Sequence, residues 1–179
     1  IYVKQNNAEE AFPLLRSLAN EDVHTNHDKI IKSEALVVLG HLEENSGFPA
    51  EALLHYKKAI EYHKDNKEAW LAGGVLLTKA GQRKEGEMYL LKASMYYPAS
   101  PLIENNLALI YMQEKSNDKA RYHLEKLLAL QPGNPQATYN LAMLKLSSGE
   151  LNEAVLELKQ LIRNYPEHKN AKEALEFIK

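Results

Sequence analysis

The sequence predicts an all-α chain of tandem helix–turn–helix repeats, stacked as an α-α superhelix, or solenoid. The first observation is that the same residue types recur every 34 residues, without insertion or deletion, across 33–66, 67–100, 101–134 and 135–168. The second is that apolar residues within each segment recur at spacings of three and four, the period of an amphipathic helix. We call these segments repeats 1 to 4 and count positions from the first residue of each.

Small residues at two positions predict that the two helices of a repeat cross closely. They are Gly40, Gly74, Ala108 and Ala142 at position 8, and Ala52, Gly86, Ala120 and Ala154 at position 20. A larger side chain at such a crossing would push the helices apart, at a cost of about 1–3 kcal/mol. We expect the space around the crossing to be filled by large residues at positions 4, 24 and 28, such as Trp70, Tyr56, Leu158 and Ile60.

The helix boundaries recur with the same period. Position 15, where the turn between the two helices is expected, holds Gly47, Gly81, Lys115 and Gly149. Glycine there suits the left-handed residue that ends many helices. Ser100–Pro101 and Asn134–Pro135 each offer an N-cap followed by proline at the first helical position. Prolines at position 32 are expected to close the second helices: Pro98, Pro132 and Pro166.

Both ends of the chain are expected to carry incomplete repeats. Residues 1–32 form a partial N-terminal repeat, in which 8–19 is the second helix and Pro13 either kinks that helix or begins it. Thr25, with Asp28 three residues later, predicts the start of the next helix. Residues 169–179 continue the register as an unpaired first helix, either a cap or one half of a repeat.

These residues resemble the signature of the tetratricopeptide repeat family over residues 33–168. The matching residues are Trp70, Gly74, Gly81, Ala93 and Pro98 in repeat 2, and Leu107, Ala108, Tyr111, Ala120 and Pro132 in repeat 3. Departures are Lys64 for the terminal proline, Gly86 for alanine, and Glu43 and Lys145 at position 11, which is usually aromatic. Sel1-like and pentatricopeptide repeats fit the spacing or the composition less well. The resemblance implies a helical solenoid that binds proteins.

The composition and the motifs argue against catalysis. No cysteine is present, which excludes disulfides, thiolate metal sites and cysteine nucleophiles but leaves the compartment open. The sequence has no glycine-rich phosphate loop and no catalytic motif, so we expect no enzyme activity and no cofactor. His24, His27 and Asp28 form the one cluster that resembles a metal site, but a polar helix start explains them better, and we expect no metal.

The resemblance implies that first-helix positions 2, 5, 6, 9, 12 and 13 line a concave, partner-binding groove. The candidate site is Leu71, Val75, Asn105, Asn106, Leu109, Met112, Gln113, Tyr139, Asn140 and Met143. Asn106 and Asn140, both at position 6, would bond a peptide backbone; equally, asparagine is simply common there. The apolar members would anchor side chains, although several of them could instead pack between neighbouring first helices. Acidic or apolar residues at the basic positions of a two-carboxylate clamp argue against acidic C-terminal tails as ligands: Glu34, Val37, Glu68, Leu71 and Leu102.

We therefore expect a non-catalytic protein–protein interaction scaffold that holds a peptide or partner segment in this groove. The alternatives are a module that self-associates through its terminal helices, and the recognition arm of a larger enzyme. The near-neutral charge of −2 argues against a nucleic-acid partner, and no apolar run is long enough for a membrane span. Since the chain begins at Ile1 rather than Met, we expect it to be part of a longer protein.

Overall fold

The described residues of the computed structural model, 8–178 with side chains from Phe12 onward, form ten α-helices and no strand. The all-α helical-repeat class predicted from the sequence is confirmed. In chain order the helices are α1 Ala8–Asn20, α2 Asn26–Asn45, α3 Pro49–Tyr62, α4 Lys67–Lys79, α5 Arg83–Ser94, α6 Pro101–Gln113, α7 Asn117–Leu130, α8 Pro135–Ser147, α9 Leu151–Asn164 and α10 Lys169–Phe177.

The chain divides into two compact units, Ile1–Tyr97 and Pro98–Lys179. The N-terminal unit contains α1 to α5, and the C-terminal unit contains α6 to α10. In both units each helix packs against the next one along the chain, so the core is a series of helix-pair interfaces.

First helices begin 34 residues apart because the same capping position recurs. The residue before α4, α6, α8 and α10 accepts a hydrogen bond from a backbone N–H in the first turn, which satisfies one of the unpaired donors at a helix start. These N-caps are Asn66, Ser100, Asn134 and His168. Pro101 and Pro135 follow their caps at the first helical position, as predicted.

In the N-terminal segment, the predicted start of α2 is confirmed, and one of the two alternatives for the start of α1 is ruled out. Thr25 and Asp28 form a reciprocal capping box at the start of α2, and the hydrogen bonds to Thr25 lower the pKa of the Asp28 carboxyl. Helix α1 begins at Ala8 and carries Pro13 inside it, so the interpretation that this helix begins at Pro13 is wrong. Ala19 of α1 packs against the core of the N-terminal unit.

Position 8 meets position 24 where the two helices of a repeat cross. A Cβ atom on Gly40 would lie 2.5 Å from Cε1 of Tyr56, a side chain that is itself fully buried. One on Gly74 would lie 2.9 Å from Cγ of Leu90 and 3.1 Å from its backbone nitrogen. In repeats 1 and 2 the facing side chain therefore already occupies the space that a Cβ at position 8 would need, whereas repeats 3 and 4 accommodate alanine there.

The turn after each first helix has the left-handed conformation in all four repeats. The φ angles are +84° at Gly47, +74° at Gly81, +58° at Lys115 and +83° at Gly149. Each helix closes with a bond from the next backbone N–H to a carbonyl five residues back, as from Ser116 to Tyr111 at 2.9 Å. Lys115 is thus the one described non-glycine residue with a positive φ.

Replacing Lys115 with glycine should stabilise the protein. A left-handed conformation costs a residue with a Cβ about 1–2 kcal/mol, and the extra entropy that glycine loses on folding offsets about 0.5–1 kcal/mol of that gain. We expect Lys115→Gly to raise the free energy of unfolding by about 0.5–1 kcal/mol in equilibrium urea denaturation.

Gly149→Lys is the matched reverse change, because a Cβ at Gly149 meets no atom within 4 Å and only the backbone conformation is tested. It should destabilise the protein by a similar amount. A destabilising Lys115→Gly, or a neutral Gly149→Lys, would contradict this account of the turn.

Candidate functional site

In the C-terminal unit, the candidate residues on the first helices range from buried to exposed, and most of them are partly exposed. Asn105, Leu109 and Met112 of α6 are partly exposed, as is Met143 of α8. Gln113 of α6 is exposed. Leu102, also on α6, is 48% exposed and extends the same helix face toward its N-terminus. This unit therefore offers apolar and amide side chains on α6 and an apolar side chain on α8.

The two asparagines at position 6 are nearly buried and already take part in hydrogen bonds. Asn106 and Asn140 are each 6% exposed. The Asn106 amide donates to the carbonyl of Leu102 at 2.8 Å, and Gln136 Nε2 donates to Asn140 Oδ1 at 2.9 Å. Each bond joins residues four positions apart on the same helix, so these asparagines stabilise their own helices in the unbound protein.

Tyr139 has a packing role. It lies against a buried cluster that joins α8, α9 and α10 and consists of Ala142, Leu158, Leu161 and Ala171. Its ring centroid is 5.3 Å from that of His168, the N-cap of α10. Much of its apolar surface therefore fixes α10 onto α8 and is not available to a ligand.

In the N-terminal unit, Leu71 and Val75 lie half-buried on α4 near a network of polar side chains. Lys79 Nζ donates to Glu44 Oε1 at 2.9 Å, and the Tyr56 hydroxyl donates to Glu44 Oε2 at 3.3 Å. Two further contacts, both through His41, extend the network from Tyr56 to Glu68: 3.0 Å between Tyr56 Oη and His41 Nδ1, and 3.5 Å between His41 Nε2 and Glu68 Oε1.

Two members of this network, Glu68 and Tyr56, have shifted pKa values. The His41 hydrogen bond, followed by that of Tyr97, holds the pKa of the Glu68 carboxyl below its ordinary value, although burial acts in the opposite direction. Burial, together with the neighbouring Glu44 carboxylate, raises the pKa of the Tyr56 hydroxyl. Glu68 is therefore ionised and acts as an acceptor for two neighbouring side chains.

A cleft of about 720 Å³ opens beside this network, at the turns that follow α2 and α4. Leu53 and Leu76 contribute apolar surface, and the Glu44–Lys79 ion pair lies at its edge. The remaining lining residues are small or polar: Gly47, Pro49, Ala50, Ala80 and Gln82. The cleft is large enough for a side chain or a short segment of a ligand.

The sequence analysis missed a coupling between positions 11 and 23, which are 12 residues apart. Glu43 is 2.6 Å from His55, and Lys145 is 2.7 Å from Glu157. In repeat 3 the same two positions hold Tyr111 and the ring that stacks on it, with centroids 5.3 Å apart. The two charged residues at position 11 are therefore each matched at position 23 by a side chain of opposite charge or complementary hydrogen bonding. The spacing of 12 residues between these positions is visible in the sequence.

The most buried charged cluster lies between α6 and α7. Glu104 is 2% exposed and faces His123 Nδ1 at 2.6 Å and Lys126 Nζ at 2.5 Å. The His123 ring also stacks on Tyr111. This arrangement satisfies a buried carboxylate, and it lacks the access to a substrate that a catalytic carboxylate–histidine pair needs.

The described residues contain no group of three or more histidine or acidic side chains that is placed to hold a metal ion. Asp28, a member of the His24–His27–Asp28 cluster, uses its carboxylate to accept backbone hydrogen bonds at the start of α2. None of the helices within residues 8–178 combines the length and the apolar character that a membrane crossing requires.

Comparison with known proteins identifies the repeats. The family model described as "Tetratricopeptide repeat" matches residues 111–176. Residues 111–176 therefore match the tetratricopeptide repeat family, whose signature the sequence pattern also resembles over residues 33–168. Such repeats are protein-interaction scaffolds in general, and protein or peptide partners are the class of ligand that the fold implies.

Two curated human relatives are similar to this chain over part of their length. Protein O-mannosyl-transferase TMTC3 is 29% identical over 67% of this chain, and TMTC1 of the same name is 31% identical over 64%. The chain spans only 14% and 13% of the length of these relatives.

Solved structures support the fold. The crystal structure of MamA superposes with a TM-score of 0.73 at 22% identity, covering 92% of this chain and 88% of that one. YrrB, titled "a TPR protein with an unusual peptide-binding site", superposes with a TM-score of 0.77 at 18% identity, covering 95% and 86%. At these identities the likeness concerns the fold.

Removing the Glu68 carboxylate should make the free energy of unfolding depend less on pH in the acidic range. Because the pKa of Glu68 is lower in the folded protein, its contribution is complete above the ordinary carboxyl pKa and is lost as pH falls through the lowered value. We expect the free energy of unfolding to fall less steeply between about pH 5 and pH 3 in Glu68→Gln than in the wild type. The measurement is urea denaturation across this range.

Glu51→Gln removes one exposed carboxylate from the same unit and controls for the loss of a negative charge. If Glu68→Gln and the wild type lost stability in parallel as the pH fell, the proposed role of the His41 and Tyr97 hydrogen bonds would be wrong.

Proposed function

We propose that this chain is a non-catalytic scaffold that binds a peptide or partner segment along the first helices of its C-terminal unit. The observation that carries the proposal is the set of partly exposed apolar side chains on two of these helices: Leu109 and Met112 on α6, and Met143 on α8. These residues occupy positions that face the groove in the tetratricopeptide repeats they resemble. Their accessibility is what a ligand-binding face requires.

The chemistry of this face suits a ligand with apolar anchors. Methionine side chains adapt their shape to varied partners, which favours Met112 and Met143 as contact residues. Asn105 and Gln113, on the same helix as Met112, add amide groups that can donate to or accept from a peptide backbone. We therefore propose that the partner is an extended or helical segment with apolar side chains. Its other side chains would be uncharged or of mixed charge.

The two buried asparagines belong to a finer part of the proposal. Asn106 and Asn140 would bond the ligand backbone in addition to, or in place of, their present contacts with Leu102 and Gln136. The double change Asn106→Ala and Asn140→Ala then weakens binding. Unchanged affinity would remove these asparagines from the site and leave the apolar anchors.

A second candidate function is supported by the relatives. Both are named protein O-mannosyl-transferases, and the chain matches only 14% and 13% of their lengths. As the recognition segment of a larger enzyme, the chain would hold a partner or substrate protein while the reaction took place elsewhere. The same first-helix face would then serve this purpose.

A third candidate is self-association through the C-terminal helix. Phe177 is 94% exposed, and Leu175 and Ile178 line an apolar cleft of about 330 Å³ with Leu151 and Val155 of α9. Size-exclusion chromatography of the chain with and without residues 169–179 tests this idea. A monomer in both cases contradicts it.

The scaffold proposal predicts that ligand binding depends on the methionines of the first helices. Peptides of about 12 residues would be selected by phage display against the wild-type chain, and their affinities measured by fluorescence polarisation. We expect the double variant Met112→Ala and Met143→Ala to weaken the selected peptides by about tenfold or more, since truncating apolar anchors removes most of their burial.

Tyr122→Ala with Leu156→Ala is the matched control, because it truncates two apolar side chains on the second helices of the same unit, 56% and 58% exposed. Binding should survive that change. If the control lost affinity and the methionine variant kept it, the ligand would bind the second helices and the proposal would fail.

A further inference from the structure

An exposed large apolar residue recurs on the second helix of every repeat. Position 22 holds Leu54, Met88, Tyr122 and Leu156, which are 51%, 54%, 56% and 58% exposed. The residues that pack into the helix crossing, at positions 20, 24 and 27, lie on the other side of these helices. Single exposed apolar residues are common on protein surfaces, so position 22 alone indicates no binding site.

Helix α5 differs from the other second helices at the two positions that share a face with position 22. Positions 25 and 29 hold Leu91 on α5 and Met95, the C-cap residue that directly follows α5 with helical backbone angles; they are 44% and 71% exposed. The corresponding pairs in the other repeats contain a charged residue in every case: Lys57 and Glu61, Glu125 and Ala129, Lys159 and Arg163. The apolar face of α5 is therefore a property of this repeat and not of the repeat pattern.

Met88, Leu91 and Met95 lie at i, i+3 and i+7, so they form one continuous strip on the solvent side of α5. We call these three residues the outer strip. The opposite side of the helix is committed to the core through Gly86, Leu90 and Ala93. Helix α5 is thus apolar on two sides, and the outer strip has no packing role in the described structure that would explain it.

Two lysines lie on the face of the outer strip. Lys84 lies four residues before Met88 and Lys92 four residues after it, which places both lysines on the face of the strip. Of the acids that border this face, Glu85 is bound to Lys57 of α3 at 2.7 Å, and Glu87 also has an interaction partner. Glu61 on α3 lies near Tyr89 of α5, since burial, aided by the charges of Glu85 and Glu61, raises the pKa of the Tyr89 hydroxyl. Tyr89 lies away from the outer strip, toward the buried side of α5.

We propose that the outer strip is a second docking site, and that its occupant is an acidic amphipathic helix of a partner protein. Its apolar residues would pack on Met88, Leu91 and Met95, and its carboxylates would pair with Lys84 and Lys92. Three apolar residues over two turns match the spacing at which such a helix presents its own anchors. The two methionines allow the strip to adapt to the shape of the partner.

The charges and the packing favour this occupant over the alternatives. A second copy docked strip to strip would bring the lysines of the two copies together. An anionic lipid surface is recognised by clusters of four to eight basic residues and by helices free to insert an apolar face. Helix α5 offers two lysines on this face, and its other side is held in the core.

The test uses a synthetic amphipathic helical peptide of about 18 residues, with leucine at i, i+3 and i+7 and glutamate beside these positions. A second peptide carries lysine in place of every glutamate. Binding of both to the full chain would be measured by fluorescence polarisation. We expect the acidic peptide to bind and the basic one to bind at least tenfold more weakly.

The decisive variant is Leu91→Lys with Met95→Glu, which gives α5 the residues that repeat 1 already carries at these positions and so preserves the fold. It should weaken the acidic peptide by about tenfold or more. Leu156→Lys on α9, which replaces a side chain of similar exposure, is the control and should leave the affinity unchanged. Circular dichroism confirms that both variants remain helical.

Three results would overturn the proposal. One is equal affinity of the acidic peptide for the wild type and for Leu91→Lys with Met95→Glu. Another is co-sedimentation of the wild type, but not of this variant, with phosphatidylcholine vesicles containing phosphatidylserine, which would make the strip a membrane site. The third is a wild-type dimer in sedimentation equilibrium that the variant abolishes, which would make it a self-association site.

Discussion

The close crossing of the two helices in each repeat is the constraint on which the rest of the structure depends. At this crossing position 8 must leave room for the side chain at position 24, and the contact is tightest where Gly40 faces the fully buried Tyr56. When the two helices of a repeat cross this closely, each helix pair still has an apolar face that is not covered. Within each unit, the next helix along the chain covers that face. Within each unit, the period of the sequence, the N-caps and the left-handed turns recur from one helix pair to the next.

Much of this architecture could be predicted because it depends on local and periodic signals. The small residues at position 8, the caps at Ser100 and Asn134, and the capping box at Thr25 each have a direct physical reason that a single sequence displays. The family resemblance then adds which helix faces a groove. Pro13 shows the limit of such reasoning, since a proline within a helix is compatible with more than one start and only the packing of α1 decides between them.

The candidate site was less predictable, because its residues have two roles that a sequence does not separate. Asn106 and Tyr139 satisfy the expected spacing, yet one bonds its own helix and the other fixes α10 onto α8. The coupling of positions 11 and 23 was missed for a different reason. Glu43 and Lys145 were compared with the family pattern and not with residues 12 positions further on, where His55 and Glu157 complement them. A departure from a repeat pattern is informative when its partner has changed as well.

The central claim, that facing residues at the crossing are chosen as pairs, can be tested directly by a double-mutant cycle at Gly40 and Tyr56. Repeats 3 and 4 hold alanine and leucine at these two positions, so the cycle converts the crossing of repeat 1 to theirs. In equilibrium urea denaturation of the full chain, Gly40→Ala and Tyr56→Leu should each cost about 1–3 kcal/mol. The double variant should cost less than the sum of the two by about 1 kcal/mol or more, because alanine and leucine are the pair that repeats 3 and 4 accommodate at this crossing. Costs that add to within about 0.5 kcal/mol would show that the two positions are independent and would contradict the account.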